Sequence, residues 1–270
     1  MPASIAAISA KLGSAVRRFD IDVLASCGST NAVLLSRAEA GAPSGTVIIA
    51  QEQTAGRGRR GRSWFASPGD SLTFSLLWRF APGTAPAGLS LAVGVAVARA
   101  MAKVGACRPA KRNPRQTESG TALKWPNDIL HDGRKLGGIL VELVPGAPHA
   151  AVIGIGINLR LPVGMPEELR AASAALNAHG DAPDANDLYA SLLTELLITL
   201  ETFATEGFAA IRPEWMTRHA FQDARIRLVT DFGPSSEGIC RGVDGDGALL
   251  LEVDGRIERI LSGEVSLRPA

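Results

Sequence analysis

The chain has 270 residues, and its 28 Lys and Arg side chains against 27 Asp and Glu leave a formal net charge of +1. With 46% hydrophobic and 20% charged residues, it has the composition of an ordinary globular protein of one or two domains, and a mainly disordered, collagen-like or coiled-coil chain is excluded. The near-neutral balance also argues against a surface that is basic throughout. Any site for anions therefore has to be a local patch.

The cysteines and the apolar segments bear on the cellular compartment of the protein. Cys27, Cys107 and Cys240 are far apart and form no C-x-x-C pair, which favours a reduced compartment and argues against a zinc site. The N-terminus lacks the basic segment and apolar core of a signal peptide. The longest apolar run, residues 89–98, is too short to span a membrane. We therefore expect a cytoplasmic protein that binds no membrane.

The first half of the chain alternates predicted helices and strands. Apolar residues recur every three or four positions from Ile5 to Val16 and predict a short helix within residues 1–18. Runs rich in β-branched residues predict strands, and the helix after the first of them has a candidate N-cap at Ser29 or Thr30. The predicted strands cover residues 19–25, 46–53 and 71–78, and the later helices cover 29–41 and 87–105.

The second half is richer in predicted strands. Residues 108–120 hold four basic residues and two prolines without periodicity, which predicts an exposed basic loop of unassigned role. After Trp215, five short strands separated by Gly or Asp turns predict a small barrel appended to the main domain. Further strands are predicted at 122–125, 127–131, 134–144 and 150–159, and a long amphipathic helix at 184–203. The predicted divisions are a short N-terminal helix (1–18), a catalytic domain (19–212) and a C-terminal β-barrel domain (213–270).

Residues 54–69, TAGRGRRGRSWFASPG, form a segment that we call the arginine loop. Its glycines match the dinucleotide fingerprint G-x-G-x-x-G and nearly match a P-loop, but both motifs need a helix that starts at the last glycine. Here Pro68 and Gly69 lead into a strand instead, so we reject both. Four arginines on a glycine-rich backbone predict a loop that is disordered alone and closes over an anionic ligand. The alternative, an RNA-binding Arg-Gly segment, normally repeats in a disordered tail.

The segment ALKWPNDILHDGRKLGGILVEL, residues 122–143, predicts a hairpin with a type I′ turn at Asp132-Gly133. Pairing across that turn brings Leu130 opposite Lys135 and places Asp128 on the same face as Lys135, at a diagonal distance of roughly 7 to 8 Å. A carboxylate and an ammonium so placed leave room for a small reacting group between them.

Glycines also clear one face of the strand VIGIGINL, residues 152–159. Gly154, Gly156 and Asn158 alternate with isoleucines, so that one face is almost bare and carries a single amide. This predicts either a floor for a small molecule or close packing of a helix, and the strand alone does not decide between them.

Five segments in this order resemble the bacterial biotin protein ligase family: GSTN (28–31), QTAGRGRRGRSW (53–64), KWPND (124–128), RKLGGILVE (134–142) and GIGINL (154–159). The end of the chain, RGVDGDGALLLEVDG and GEVSLRP, resembles that family's C-terminal domain. The resemblance implies an α+β fold, with a mixed-sheet catalytic domain of the biotin/lipoate ligase type and a small C-terminal SH3-like β-barrel. It also implies activation of biotin by ATP, with Mg²⁺, to biotinyl-5′-AMP, and transfer of biotin to one lysine of the carrier domain of acetyl-CoA carboxylase.

Site residues follow from the resemblance, position by position. The residues that would contact biotin are Ser29, Thr30, Asn31, Gln53, Gly56, Arg57, Gly58, Arg59, Lys135, Gly138 and Gly156. Those that would contact ATP or the adenylate are Arg57, Arg60, Arg62, Trp64, Asn127 and Asn158. The candidate catalytic residues are Lys135, Arg57 and Asp128, where Asp128 either accepts a proton during transfer or only neutralises a lysine. The sequence does not indicate the magnesium ligands.

Some family members carry an N-terminal DNA-binding domain, whereas here the catalytic core begins near residue 20. We therefore expect a monofunctional ligase without DNA binding, either a monomer or a homodimer. The main alternative is a lipoate or octanoate ligase or transferase of the same fold. A biotin-sensing or nucleic-acid-binding module is an alternative from another class.

Overall fold

The computed structural model describes residues 3–106, 120–162, 164–179, 183–230, 236–261 and 265–269. The helices are α1 (Ile5–Leu12), α2 (Thr30–Glu39), α3 (Leu89–Lys103), α4 (Glu167–Ala171), α5 (Ala185–Glu206) and α6 (Arg212–Arg218). The strands are β1 (Asp20–Leu24), β2 (Thr46–Ala50), β3 (Ser71–Arg79), β4 (Thr121–Lys124), β5 (Asp128–His131), β6 (Arg134–Val144), β7 (Ala147–Asn158), β8 (Arg225–Thr230), β9 (Ser236–Val243), β10 (Leu249–Val253), β11 (Arg256–Ile260) and β12 (Val265–Pro269).

The first seven strands form one mixed sheet in the order β1-β2-β3-β7-β6-β5-β4. Only β1 and β2 pair in parallel, and each of the other neighbours is antiparallel. The mixed sheet of the predicted α+β fold is therefore confirmed. Strand β7 lies at its centre, and the hairpin of β5 and β6 beside it brings the KWPND and glycine segments together.

Helices cover both faces of this sheet. On one face α3, apolar on all sides, lies between the sheet and α5, as expected of a fully buried helix. Helix α5 has the length and hydropathy of a membrane span, but more than half of that stretch is buried against its neighbours. On the other face α2 packs Leu34 and Ala38 against Ile48, Leu77 and Val152. Because side chains alternate along a strand, Gly154 and Gly156 of β7 share the α2 face with Val152.

The last five strands form a second, antiparallel sheet in the order β11-β10-β9-β8-β12, which is the small C-terminal β-domain that the sequence predicts. It is joined to the first sheet through a continuous hydrophobic core and through buried polar contacts. The Trp125 indole donates to Gly247 O at 3.0 Å, and Arg212 donates to Val243 O at 2.6 Å. The segment that carries KWPND is thus held directly by the C-terminal domain.

Several details differ from the predicted elements. Helix α1 ends at Leu12 because Gly13 takes a positive φ of 55°, and a 3₁₀ turn follows in place of a longer helix. The sequence analysis missed α6, whose seven residues are too few for a clear helical period. The predicted basic loop at 108–120 lies outside the described residues, apart from Gly120. The predicted domain boundary at 212/213 stays a prediction.

Candidate active site

A cavity of about 670 Å³ opens on the α2 face of the first sheet, beyond the N-terminus of that helix. Its floor consists of Gly138 on β6 and Gly154 and Gly156 on β7, which we call the glycine floor. Gly138 and Gly156 lie directly opposite each other in the ladder, and Gly154 is opposite Leu140. Three absent side chains on adjoining strands therefore leave a recess above the sheet.

The two β7 glycines are required by packing within the protein. A Cβ on Gly154 would lie 2.2 Å from Asn31 Oδ1, and a Cβ on Gly156 would lie 2.5 Å from Cε2 of Trp64. A Cβ on Gly138 would instead meet Lys135 at 3.5 Å, which is ordinary van der Waals contact. The packing interpretation of the glycine strand is therefore confirmed, since the start of α2 packs on Gly154. The cavity reaches Gly138 and Gly156, and their use as a floor for a small molecule stays a prediction.

Buried polar groups at the start of α2 form the inner wall. Ser29, Thr30 and Asn31 are each at most 5% exposed. The Thr30 backbone N–H donates to Gln53 Oε1 at 2.8 Å, and the Ser75 hydroxyl lies 2.7 Å from Thr30 Oγ1 and 2.6 Å from Asn31 Oδ1. These contacts fix the side chains before any ligand arrives, as a preorganised recognition wall requires.

The arginine loop folds over this floor. Its predicted disorder in the absence of a ligand stays a prediction. Its ends meet where Trp64 N donates to Gly56 O at 2.9 Å, and Gly58 N donates to Arg62 O at 2.7 Å. A Cβ on Gly56 would lie 2.5 Å from Trp64 O, so only glycine fits there. A 3₁₀ turn at Arg59–Gly61 forms the tip, and no helix follows it before β3 begins at Ser71. The rejection of the dinucleotide and P-loop motifs is therefore confirmed.

Two loop arginines have partners across the cavity. The Arg57 guanidinium forms an ion pair with Glu142 on β6, and Arg59 donates to Asn127 Oδ1 at 3.4 Å. Burial, and then the positive charge of Arg60, lower the pKa of Arg59 below its ordinary value, with Asp128 opposing them. An anion entering beneath the loop would relieve this repulsion.

The lysine hairpin supplies the charged side of the cavity. Both turn residues have positive φ, 51° at Asp132 and 74° at Gly133, as the predicted type I′ turn requires. Leu130 is opposite Lys135 as predicted, but a bulge after that pair places Asp128 opposite Gly138 rather than Gly137. Asp128 and Lys135 do share one face, but the predicted room for a small group between them is absent: Lys135 Nζ is 2.6 Å from Asp128 Oδ1 in a direct ion pair, and Lys124 Nζ is 3.7 Å from Asp128 Oδ2.

The outer end of the cavity is closed by residues that follow β7. Asn158, 3% exposed, donates to Ala174 O at 3.0 Å. Lys135 N donates to Ala172 O at 2.9 Å and Ala174 N donates to Lys135 O at 2.8 Å, so residues 172–174 run alongside the start of β6. This segment therefore holds the lysine backbone from the side opposite β5.

The structure brings the predicted site residues together with one exception. All of them line the cavity except Gly56, which acts by allowing the loop to close. Their individual roles toward biotin and ATP stay predictions. The sequence analysis missed Glu142 and Ser75, which hold site residues from outside the cavity, and the apolar rim of Met165, Leu169 and Phe221. Glu142 is the only acid in the RKLGGILVE segment, which is the one signal in the sequence that could have identified it. Nothing in the sequence pointed to Phe221.

Comparison with known proteins agrees with this geometry. The sequence model described as the biotin/lipoate A/B protein ligase family matches residues 23–158. The bifunctional ligase/repressor BirA of Escherichia coli is 40% identical over 253 residues, which cover 93% of this chain and 74% of that protein. The chain belongs to the biotin/lipoate A/B protein ligase family. A biotin–[acetyl-CoA-carboxylase] ligase of Mycobacterium tuberculosis is 37% identical, with 91% of this chain and 88% of that protein covered.

The rest of the chain also matches biotin ligases. Residues 225–268 match the biotin protein ligase C-terminal domain, which agrees with the small β-domain of β8 to β12. A biotin protein ligase from Aquifex aeolicus, solved in complex with biotin and ATP, superposes with a TM-score of 0.75 at 27% identity. The superposition covers 93% of this chain and 99% of that one. The regions that match ligase families therefore include strands of both sheets.

Proposed function

We propose that the protein is a biotin–[acetyl-CoA-carboxylase] ligase, which activates biotin with ATP and passes it to a lysine of the biotin carboxyl carrier domain. The observation that carries this proposal is the cavity itself: a lysine–aspartate pair stands beside a glycine floor, and the arginine loop closes over both. At about 670 Å³ the cavity falls within the usual range for a small-molecule site.

In the first step a carboxylate oxygen of biotin attacks the α-phosphorus of ATP. The bond from that phosphorus to the bridging oxygen breaks, and pyrophosphate leaves with the electron pair. Negative charge gathers at the phosphorus, where Lys135 and the loop arginines are held in place to stabilise it. The apolar glycine floor and Trp64 exclude water that would otherwise hydrolyse the mixed anhydride.

In the second step the acceptor lysine, as a neutral amine, attacks the acyl carbon and AMP departs. The amine must lose a proton, and Asp128 is the only carboxylate that lines the described cavity. It faces both Lys135 and Lys124. We propose that Asp128, which is held between these two ammonium groups, orients the incoming amine and accepts its proton.

We expect magnesium to bind at this site together with ATP and not through protein ligands alone. Among the residues that the structure describes, no cluster of three or more His, Cys, Asp or Glu could hold a metal. Mg²⁺ commonly binds through substrate phosphates, waters and one or two carboxylates. We propose that it enters on the triphosphate, which it would partly neutralise. We also propose a cytoplasmic location, where cysteines such as Cys27 and Cys240 stay reduced.

The test is the release of pyrophosphate from ATP, measured with biotin and in parallel with octanoate. Biotin-dependent release is expected with wild-type protein, and Lys135→Ala should abolish it. Lys11→Ala is the matched control, because Lys11 lies on α1 and pairs with the exposed Asp187. Release that depends on octanoate and not on biotin would replace this proposal with the lipoate or octanoate reaction. Transfer of labelled biotin to a carrier domain then tests the second step.

A further inference from the structure

Glu142 stands outside the cavity lining but touches two parts of the site. It lies on β6, with its side chain 25% exposed. One carboxylate oxygen pairs with the Arg57 guanidinium of the arginine loop. The other accepts a hydrogen bond from Asn31 Nδ2 at 2.8 Å. A single carboxylate therefore connects the loop above the glycine floor to the helix that forms the inner wall.

The wall end of this connection is rigid. Asn31 is 3% exposed and also donates to Leu140 O at 3.2 Å. The Ser75 hydroxyl donates to its Oδ1 at 2.6 Å, and the amide fills the space where Gly154 lacks a side chain. The backbone of Glu142 is held in the β-ladder, where the residue is paired with Val152 of the central strand β7. The carboxylate therefore has little freedom to follow the loop if the loop moves.

At its loop end, this connection opposes the mutual repulsion of the loop arginines. Four arginines lie within residues 57–62, and like charges at such spacing favour an open segment. Arg57 is at the base of the loop, where it forms a bridge with Ser63. An acid that fixes Arg57 thus fixes the strand-like base from which the tip and Trp64 project over Gly156.

We propose that Glu142 is a positioning residue that latches the arginine loop over the glycine floor and ties it to Asn31. Its effect on ligand affinity rests on the proposed function, whereas its effect on the loop does not. The bridging arrangement gives the latch its direction: Asn31 is already fixed by its contacts with Leu140 and Ser75, so Glu142 transmits the rigidity of the wall to Arg57 and the loop.

The variant Glu142→Gln keeps the shape of the side chain and an oxygen for Asn31 but removes the charge that holds Arg57. Without substrates, limited trypsin digestion followed by mass spectrometry should show cleavage after Arg59, Arg60 and Arg62 accelerated about five-fold, since a half-exposed ion pair contributes modestly. In the pyrophosphate assay, the KM for biotin should rise about five-fold while kcat stays within about two-fold. Glu252→Gln, which breaks the Arg241 pair in the C-terminal sheet, is the control and should match wild type in both.

A double-mutant cycle separates a latch from general support of the fold. In Arg57→Gln the latch is already broken, so adding Glu142→Gln should cause no further loss of biotin affinity and no faster cleavage. Full additivity of the two changes, or wild-type cleavage and KM in Glu142→Gln, would overturn the proposal. If Glu142→Gln does not fold, Arg57→Gln tests the latch from the loop side by the same digestion. A wild-type protein that releases no pyrophosphate would refute the proposed function, and the digestion would still judge the latch.

Discussion

Gly138 and Gly156 face each other across β6 and β7, and replacing each by alanine should have different consequences. At Gly156 the new methyl group would lie 2.5 Å from Trp64 Cε2 and 2.6 Å from Cζ2. That is about 1 Å closer than the roughly 3.5 Å at which two carbons are in contact. At Gly138 the nearest atoms are at 3.5 Å, on the flexible end of Lys135. Neither glycine has the positive φ that would strain an alanine.

The energetic expectation follows from these distances. Overpacking at Gly156 costs about 1–3 kcal/mol, and the loss of glycine freedom in the unfolded chain returns about 0.4–1 kcal/mol. Gly156→Ala should therefore lower the free energy of unfolding by about 1–2 kcal/mol, or displace Trp64 and open the arginine loop. Gly138→Ala should leave stability within about 0.5 kcal/mol or raise it slightly, because only the second effect applies.

The two variants should differ in stability, but both should lose affinity for biotin. Both methyl groups would occupy the floor on which biotin is expected to lie, so both variants should bind biotin more weakly. A crowding cost of about 1–3 kcal/mol corresponds to roughly 5- to 150-fold in affinity. Denaturant unfolding measures the first effect and isothermal titration of biotin the second. Gly138→Ala is the informative variant, because it should lose affinity in a fold of normal stability.

Two results would refute this reasoning. Wild-type biotin affinity in Gly138→Ala would mean that the ligand does not rest on that strand, and the floor would be a packing surface only. Unchanged stability in Gly156→Ala, together with unchanged quenching of Trp64 fluorescence, would mean that the indole does not pack where the structure places it.

Three further predictions concern charged and titrating groups. Lys135→Arg should lose most of the adenylation rate, because a planar guanidinium presents its charge in a different geometry from the compact ammonium that pairs with Asp128 at 2.6 Å, and near-normal pyrophosphate release would show that any cation suffices. Asp128→Asn should form the adenylate within about ten-fold of the wild-type rate yet label the carrier about 100-fold more slowly; equal losses in the two steps would remove its special role in transfer. Burial lowers the pKa of His219 from 6.5 to about 4. Between pH 7 and pH 5 the histidine is therefore protonated in the unfolded chain but stays neutral in the native state. The free energy of unfolding should fall by about 2 kcal/mol over that range. His219→Gln should flatten that pH dependence in denaturant unfolding, and an unchanged slope would assign it to other groups.

Much of the fold could be predicted because its signals are local. Strands β2, β3 and β7 are runs of β-branched and apolar residues, and the Asp132-Gly133 turn carries its own positive-φ preference. The register next to that turn could not be predicted. A bulge shifts Asp128 by one position along β6, and neither the turn nor the alternation of β5 and β6 encodes it. Gly137, one residue from that position, also lies so close to β7 that a Cβ there would be 2.7 Å from Gly156 O.

The site was predictable to the extent that its residues occur in short motifs. Lys135, Asp128 and the arginine loop were identified in this way, and the structure places them around one cavity. Glu142 and Ser75 were missed because their importance comes from the partners they meet, Arg57 and Asn31, across separations of more than forty residues. No periodicity or spacing encodes such a contact; only the sheet order brings the groups together.

The glycines show most clearly where sequence reasoning ends. All three glycines of the floor look alike in the sequence, as small residues within two predicted strands. In the structure Gly154 is filled by Asn31 and Gly156 by Trp64, so both are constrained by the protein even before a ligand arrives. At Gly138 a Cβ would make only ordinary van der Waals contacts, with the end of the Lys135 side chain and with Trp64. Because packing does not require glycine there, Gly138 is the position at which the ligand-floor interpretation can be tested separately from packing.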